Sequence, residues 1–245
     1  MVDRHVEHDA AQHWEDHAAE WTAWAREPGH DAYWAYREQF REFVPRSGNA
    51  TLEIGCGEGR VSRDLTELGH TVTATDISPS LVAAARHAKS AHRYEVADAA
   101  ELPFTDGEFD LVVAYNVLMD VPDMTAAVAE AARVLAPGGR LTISIVHPFV
   151  DRGAFRDDGP DATFEVDGDY FGRKHFAGTE NRGGHVMHFA GWSHPLQDYA
   201  SALHNASLVI TQLIEPRPSP TTEVPALARW RRLPLFLWIN STRLP

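Results

Sequence analysis

The spacing of apolar residues predicts an α/β fold. Five short apolar runs predict strands at about 50–54, 71–75, 93–96, 109–115 and 140–147. A helix or loop separates each strand from the next, and a continuous apolar run lies within the fourth. Such alternation is typical of a parallel sheet whose two faces are both covered.

The chain before the first strand is predicted to be helical. Residues 8–43 are expected to form this helical region, in which Trp14, Ala18, Trp21 and Trp24 recur at spacings that bring them to one face. The aromatic face is expected either to anchor the helix to the core or to cap a bound cofactor. A tryptophan face can also attract a cation, usually by ~0.5 to 2 kcal/mol.

The chain after the fifth strand is predicted to begin with a lid. From Pro148 to about residue 193 it is rich in Gly and Asp without a clear period, which is too long for an ordinary loop in a compact domain. We expect a lid with some structure of its own. The segment from Pro195 to Ala206 then predicts a helix, and Leu208–Ile214 and Leu233–Asn240 predict closing strands.

The length of the chain is consistent with one domain. With 245 residues and 44% hydrophobic content, it can bury one large core. We therefore expect a single domain over residues 1–245. Its predicted parts are an N-terminal helical cap (1–45), a cofactor-binding core (46–147), a substrate lid (148–194) and a closing helix with strands (195–245).

A glycine-rich loop follows the first predicted strand. Glu53 ends the apolar run, and Gly55, Gly57 and Gly59 follow at alternate positions before a helical pattern begins. Glycine is needed where the backbone takes a positive φ or where a ligand must lie against it. The loop therefore predicts a nucleoside-type ligand.

The spacing around this loop narrows the class of ligand. Gly59 comes one position earlier than the third glycine of the dinucleotide pattern, and Arg60 stands where that pattern has glycine. Glu53 suits a cationic ligand better than a polyphosphate. Asp76 follows Gly59 by seventeen residues, at the end of the second strand, where a carboxylate can accept both ribose hydroxyls. A nucleoside with a positively charged tail fits best.

Five motifs in order carry a family resemblance. They are Glu53, Gly55, Gly57 and Gly59; Asp76, Ile77 and Ser78; Asp98 and Ala99 before Leu102, Pro103 and Phe104; Phe109 to Val112; and Leu135 to Gly139. Over roughly residues 10–147 this order resembles the class I S-adenosylmethionine (SAM) methyltransferases, in the small-molecule branch. The expected fold is a Rossmann-like, doubly wound, seven-stranded, mostly parallel sheet with an N-terminal helical cap and a lid insertion after the fifth strand.

The resemblance also implies roles for individual residues. Glu53 and the Gly55 backbone would face the methionine end of SAM, Asp76 would bind the ribose, and Asp98 with the Ala99 amide would bind the adenine. Asn116 would border the sulfonium. The full implied cofactor set is Trp21, Glu53, Gly55, Cys56, Gly57, Gly59, Asp76, Ile77, Asp98, Ala99 and Asn116. The cap departs from the family pattern, because Trp14 and Trp21 stand where tyrosines are usual, and Glu15 and Thr22 replace two aspartates.

Charge and composition restrict the partners. The formal net charge is −13, and only Arg229, Arg231 and Arg232 form a basic cluster, which disfavours nucleic acid. A small-molecule methyl acceptor is expected, with the protein a monomer or homodimer. No apolar run approaches 18 residues and the N-terminus is polar, so we expect a cytoplasmic protein with no membrane segment. The single cysteine, Cys56, is expected to be a packing residue.

The histidines do not predict a metal site. The chain has 14 of them, including His13 and His17 one helical turn apart, and His185, His188 and His194 in the predicted lid. None stands in a recognised zinc-binding spacing. Methyl transfer from a sulfonium mainly requires alignment of the reacting atoms, so we expect no metal.

An acceptor hydroxyl or amine still needs a base if its proton must be removed. We expect His147 in this role, because it ends the fifth strand and Pro148 then turns the chain away. An imidazole that only orients the lid is the alternative. Other candidates for the base are Tyr115, Asp120, Tyr170, His188 and His194. Phe189 and Trp192 are candidates for the wall of an apolar acceptor pocket.

The function expected from these observations is SAM-dependent methyl transfer to an O, N or C atom of a small metabolite. Two alternatives stay open. One is a SAM-binding protein of the same fold that catalyses a different reaction, such as a cyclisation. This alternative stays open because the fold determines where the cofactor binds more firmly than it determines which reaction is catalysed. The other is a nicotinamide-dependent oxidoreductase, which the position of Arg60 disfavours.

Overall fold

A computed structural model of the chain describes residues 10–46, 48, 50–157, 159–219 and 225–244. The helices are α1 (Ala10–Asp16), α2 (Ala18–Arg26), α3 (Ala32–Phe43), α4 (Arg60–Glu67), α5 (Pro79–His87), α6 (Met124–Val134) and α7 (Leu196–Asn205). The strands are β1 (Thr51–Ile54), β2 (Val72–Asp76), β3 (Arg93–Val96), β4 (Phe109–Tyr115), β5 (Leu135–Val146), β6 (Gly153–Phe155), β7 (Phe164–Val166), β8 (Lys174–Arg182), β9 (His185–Ser193), β10 (Leu208–Ile214) and β11 (Phe236–Arg243). Short 3₁₀ helices cover Val150–Arg152 and Pro225–Arg231.

Seven strands form the central sheet in the order β10-β11-β5-β4-β1-β2-β3. Strands β1 to β5 pair in parallel, and β11 is antiparallel to both of its neighbours. The predicted α/β fold with a seven-stranded, mostly parallel sheet is therefore confirmed. The chain passes from β1 outward to β3 and then returns to β4 on the other side of β1. The crevice of such a fold opens beyond the carboxyl ends of β1 and β4.

The apolar fourth strand is buried on both faces. Val112 and Ala114 pack into the cluster that contains the apolar residues of α6 and α7. Leu111, Val113 and Tyr115 face the other way, into the cluster formed with α3. Packing on both sides holds the end of β4 rigidly at the crevice.

The predicted N-terminal helical region is divided into three helices. Pro28 and Gly29 separate α2 from α3, with Gly29 at a φ of 71°. A proline and a left-handed glycine interrupt a helix because one lacks the N–H donor and the other reverses the backbone twist. Asp31 then caps α3, since its side chain accepts a hydrogen bond from the Tyr33 N–H. Residues 8 and 9 of the prediction lie outside the described residues.

The segment between β5 and α7 contains two antiparallel hairpins, β6-β7 and β8-β9. Strand β9 packs against α1 and α2. The Trp192 N–H donates to the Met119 carbonyl oxygen over 2.7 Å, which ties β9 to the loop after β4. The β8-β9 hairpin and the cap therefore meet above the crevice.

Two predicted strand ends are shifted in the structure. Strand β5 ends at Val146, so that His147 lies beyond it. Strand β11 begins at Phe236 rather than at Leu233, because Pro234 has no N–H for a ladder hydrogen bond. The carbonyl of Leu235 instead accepts a hydrogen bond from the His147 N–H over 2.9 Å. Within the part of the chain that the structure covers, no helix has the length and apolar character needed to cross a bilayer.

Candidate active site

A cavity of about 570 Å³ opens at the carboxyl ends of β1, β2 and β4, under the cap and the β8-β9 hairpin. A volume of this size suits a cofactor-sized ligand. Ten of the predicted cofactor residues line it: Trp21, Glu53, Gly55, Cys56, Gly57, Asp76, Ile77, Asp98, Ala99 and Asn116. The structure thus brings together residues that are widely separated in the sequence.

The glycine loop forms the floor of this cavity. Gly55 and Gly57 have φ values of 68° and 55°, in the left-handed region. A Cβ at Gly57 would lie 2.6 Å from Trp21 Nε1, and a Cβ at Gly55 would collide with the side chain of Val117. The backbone is therefore bare where a ligand would lie against it.

Gly59 does not line the cavity, although it is part of the predicted cofactor set. Its φ is 90°, and a Cβ there would collide with the hydroxyl of Ser90. This glycine allows the start of α4 to pack against the end of α5. The requirement for glycine is thus structural at Gly59, whereas at Gly57 the backbone borders the cavity.

Asp76 is held at the end of β2 with its carboxylate toward the loop. One oxygen accepts a hydrogen bond from the Gly57 N–H over 2.8 Å, and the other accepts from the Ser78 N–H over 3.0 Å. Burial raises the pKa of Asp76 to about 6, although the backbone hydrogen bonds oppose that rise. Each carboxylate oxygen keeps a further lone pair with which it can accept a ligand hydroxyl.

Glu53 is a second buried acid beneath the glycine loop. Its side chain is 1% exposed and accepts a hydrogen bond from the Ser62 hydroxyl. Burial raises the pKa of Glu53 to about 8, and the nearby charge of Asp76 contributes to the rise. Such a site is short of positive charge, so a cationic ligand would favour the ionised form of Glu53.

Asp98, Ala99 and Asn116 are positioned by backbone hydrogen bonds. The Asp98 carboxylate accepts from the Ala100 N–H over 2.8 Å, which shapes the loop after β3. Asn116 has a φ of 52°, and its side-chain oxygen accepts from the Ser144 hydroxyl over 2.8 Å. A left-handed asparagine at a strand end, held in this way, is typical of a functional position.

Cys56 is buried within the same loop. Burial raises the pKa of its thiol well above the usual range, which keeps it protonated. A protonated, buried thiol is a poor nucleophile. Its position is therefore consistent with the predicted packing role.

Arg60 organises the cap and was not among the predicted site residues. Its guanidinium lies 5.0 Å from the centre of the Trp21 ring and 4.4 Å from that of Tyr33, and it lines the cavity. Asp31 pairs with it at 2.6 Å. These contacts hold Trp21 over Gly57. In the sequence, Arg60 departs from the glycine pattern of dinucleotide-binding proteins. That departure helped to indicate the class of ligand, but it did not indicate that Arg60 contacts Trp21 and Tyr33 of the cap.

Helix α1 is fixed to the core by Glu15. Its carboxylate accepts hydrogen bonds from the Ser78 hydroxyl over 2.6 Å and from the N–H and hydroxyl of Ser80 over 3.1 and 2.5 Å. These contacts join the cap to the N-terminus of α5, beside Asp76. Glu15, which replaces an aspartate of the family pattern, thus holds helix α1 in place against the core.

The structure does not bring His147 to the cavity. Its Nε2 lies 3.0 Å from Glu215 Oε1, and its Nδ1 accepts a hydrogen bond from the Phe149 N–H over 3.2 Å. The physical reason is that β5 ends at Val146, one residue earlier than predicted. His147 therefore lies beyond the strand, where the chain turns toward β10 and β11. The His147 imidazole instead orients the start of the insertion. This agrees with the alternative interpretation, in which His147 orients the lid and is not the base.

The other histidine candidates for the base also lie away from the cavity. Among the histidines that the structure describes, none lines it. His194 is buried 3.7 Å from Asp198, and the hydroxyl of Tyr170 accepts from the Leu196 N–H. Phe189 does line the cavity, whereas Trp192 does not.

Tyr115, the last residue of β4, lines the cavity wall together with two aspartates, Asp120 and Asp151. Burial, together with repulsion from Asp151, raises the pKa of Asp120 well above its usual range, and burial raises the pKa of Asp151 to about 6. Tyr115 is buried, which raises the pKa of its hydroxyl. Asp151 was missed in the sequence, because the insertion that carries it shows no periodic pattern.

Comparison with known proteins agrees with this geometry. A family model described as a methyltransferase domain matches residues 52–143. A malonyl-[acyl-carrier protein] O-methyltransferase of Serratia marcescens is 35% identical over 122 residues, which is 50% of this chain and 46% of that protein. A ubiquinone biosynthesis O-methyltransferase of Xanthomonas oryzae is 38% identical over 106 residues, covering 41% and 44%. The chain thus spans less than half the length of these relatives.

Most of the chain has a counterpart of the same fold among solved structures. A SAM-dependent methyltransferase from Mesorhizobium loti superposes with a TM-score of 0.69 at 25% identity. The match covers 87% of this chain and 98% of that one. The similarity in fold therefore extends well beyond the residues that the family model matches.

Proposed function

We propose that the chain is a class I SAM-dependent methyltransferase, because residues 52–143 match a methyltransferase-domain model and the fold matches a SAM-dependent methyltransferase. It would transfer the methyl group of SAM to an O, N or C atom of a small-molecule metabolite. The observation that carries the proposal is the convergence of the bare glycine loop with two buried acids, Glu53 and Asp76, at one cavity. That combination suits a nucleoside with a cationic tail. A cytoplasmic location and a partner set without nucleic acid are part of the proposal.

The residues present fit SAM. When bound, SAM supplies a sulfonium methyl that is already activated for transfer. Glu53 would offset the positive charge of its tail, Asp76 would accept the ribose hydroxyls, and Asp98 with the Ala99 amide would bind the adenine. The Trp21 indole over the glycine loop would close the site from the cap side and keep water out.

We propose that oxygen is the acceptor atom and that Asp151 removes its proton. Burial and the charge of Asp151 favour the protonated form of Asp120, whereas Asp151, whose pKa is raised to about 6, would be ionised at neutral pH. The ionised Asp151 can then accept the proton of a hydroxyl. The names of the two relatives, both O-methyltransferases, support the same acceptor atom.

The experiment that tests the function is a screen of hydroxylated small molecules with SAM. Mass spectrometry should find S-adenosylhomocysteine formed in proportion to a methylated product. Mass spectrometry of the protein as purified would also detect retained SAM or a co-purified acceptor. A protein that retains SAM but yields no methylated product with any acceptor class would instead support a different reaction on the same fold.

Gly57→Ala is expected to weaken SAM binding by roughly tenfold or more, since 1.4 kcal/mol is a factor of ten. The new Cβ would collide with Trp21, and φ at this position is unfavourable for an L side chain. Gly138→Ala is a matched control, because Gly138 has a φ of 77° with nothing within 4 Å of a new Cβ. Equal SAM affinities for the two variants, measured by calorimetry, would contradict the close approach at Gly57.

His147→Ala is expected to change kcat by no more than about threefold, because its imidazole is outside the cavity. Its ion pair with the half-exposed Glu215 is of a kind that contributes little stability. Steady-state kinetics would check this. A loss of 100-fold or more with intact SAM affinity would return the role of base to His147.

A further inference from the structure

Two histidines and a glutamate meet where the cap contacts the β8-β9 hairpin. His17 joins α1 to α2, Glu20 lies in α2, and His188 lies in β9. One potential ligand atom from each lies within 4.8 Å of the others, and all three residues are partly buried. In the sequence, His17 and His188 belong to two separate histidine groups, neither of which has a recognised zinc-binding spacing. The fold combines one member of each.

The two imidazoles are oriented by their second nitrogens. His17 Nδ1 lies 2.8 Å from the carbonyl oxygen of His13, which can only accept, so Nδ1 carries the proton. His188 Nδ1 lies 2.9 Å from the Thr179 hydroxyl, which can accept in the same way. Both rings then offer Nε2 as a lone pair. Histidines that bind metals usually donate their other N–H to such an oxygen.

Glu20 contributes a carboxylate to this cluster. Its Oε2 is shielded from solvent and has no hydrogen-bond partner among the described residues. A buried carboxylate oxygen without a partner is unfavourable, because it has lost water and gained nothing in return. A cation beside the two imidazoles would remove this deficit.

We propose that His17, Glu20 and His188 form a binding site for a divalent transition metal, with Zn²⁺ as the best fit. Two imidazoles and one carboxylate are a known zinc ligand set that leaves a fourth position for water. Tetrahedral zinc needs ligand atoms ~3.4 Å apart, which small side-chain rotations would reach from the observed separations. Mg²⁺ and Ca²⁺ fit poorly, since both prefer oxygen ligands.

A metal at this site would connect the cap to the hairpin above the cavity. Glu20 precedes Trp21 and His188 precedes Phe189, and the rings of Trp21 and Phe189 meet edge to face at 6.3 Å while lining the cavity. Zinc would therefore restrain the roof of the cavity and tighten SAM binding. By linkage, SAM would tighten zinc binding by the same factor. This coupling rests on the proposed function, whereas the metal site does not.

Zinc titration of the full chain after removal of metals tests the site. A chromogenic chelator would report competition, with the wild type compared with Glu20→Gln and His188→Ala. The matched control is His185→Ala, on the same strand and 4.0 Å from Glu27 of the cap. We expect one tight zinc per chain in the wild type and the control, unaffected by Mg²⁺, and affinity lower by roughly 100-fold in the two ligand variants. Equal zinc affinity in all four proteins would overturn the site.

Thermal unfolding shows whether each variant is folded. Zinc should raise the unfolding midpoint of the wild type and of His185→Ala but not of Glu20→Gln, because only binding to the folded state stabilises it. An equal rise in Glu20→Gln would also overturn the site. SAM calorimetry with and without zinc then tests the coupling: zinc binding with unchanged SAM affinity would overturn the coupling alone. Absence of SAM binding from every protein, with zinc binding intact, would count against the proposed function instead.

Discussion

Asp151→Asn is expected to lower kcat by ~100 to 10,000-fold while leaving SAM affinity within a few-fold. The carboxylate lines the cavity beyond the end of β4, and with its pKa raised to about 6 it would be ionised at neutral pH. The amide keeps the shape of the side chain but cannot accept the proton. Single-turnover kinetics with an acceptor alcohol would measure the loss directly, without interference from product release.

The pH dependence of the wild type gives a second test of the same base. Because burial raises the pKa of Asp151 to about 6, kcat should fall as the pH drops through about 6, where the carboxylate becomes protonated. Asp167→Asn is the control, since Asp167 is an exposed carboxylate in the same insertion. A full rate in Asp151→Asn with an unchanged pH profile would show that alignment alone suffices for transfer.

Asp76→Ala is expected to weaken SAM binding by ~10 to 100-fold, because a charge-assisted hydrogen bond contributes about 1.5 to 3 kcal/mol. Substitution also removes the acceptor of the Gly57 and Ser78 N–H groups. Asp76→Asn separates these effects, since it keeps one carbonyl acceptor and removes the charge. Calorimetry would measure both affinities, and thermal unfolding would verify that the fold persists.

The affinity for SAM should also depend on pH through Asp76. Its pKa is raised to about 6 in the empty site, so below that pH a proton must be lost before the carboxylate can accept both ribose hydroxyls. SAM affinity should therefore fall as the pH decreases below about 6. If Asp76→Ala binds SAM as well as the wild type at neutral pH, Asp76 is not the ribose ligand.

The cofactor side of the cavity was predictable from the sequence because its residues lie next to strand ends. Gly55, Asp76, Asp98 and Asn116 each lie at or just beyond the end of a parallel strand, and the carboxyl ends of such strands meet at one edge. The sheet was predictable for a related reason, since its strands carry apolar runs that no helix pattern matches. A sequence motif does not distinguish a glycine that is needed for packing, such as Gly59, from one that is needed beside the ligand.

The acceptor side was not predictable, because its residues come together only through long-range packing. Asp151 lies in an insertion without periodicity, and its electrostatic interaction with Asp120 arises only in the folded chain. The same holds for His17 and His188, which are distant in the sequence. His147 was misplaced because a strand end shifted by one residue changes the direction of the side chain. The break at Pro28 and Gly29 was also missed, although a Pro-Gly pair commonly interrupts a helix.

Calorimetric titration with SAM, in parallel with NADH, tests the central claim most directly. We predict one SAM site per chain and no heat with NADH, because the site pairs a cationic tail with Glu53 and lacks the dinucleotide glycine spacing. Binding at pH 7 should also release protons, since the pKa of Glu53 is raised to about 8 in the empty site and a cation favours its ionised form. The heat should therefore vary with the ionisation enthalpy of the buffer. Binding of NADH with no binding of SAM would contradict the account.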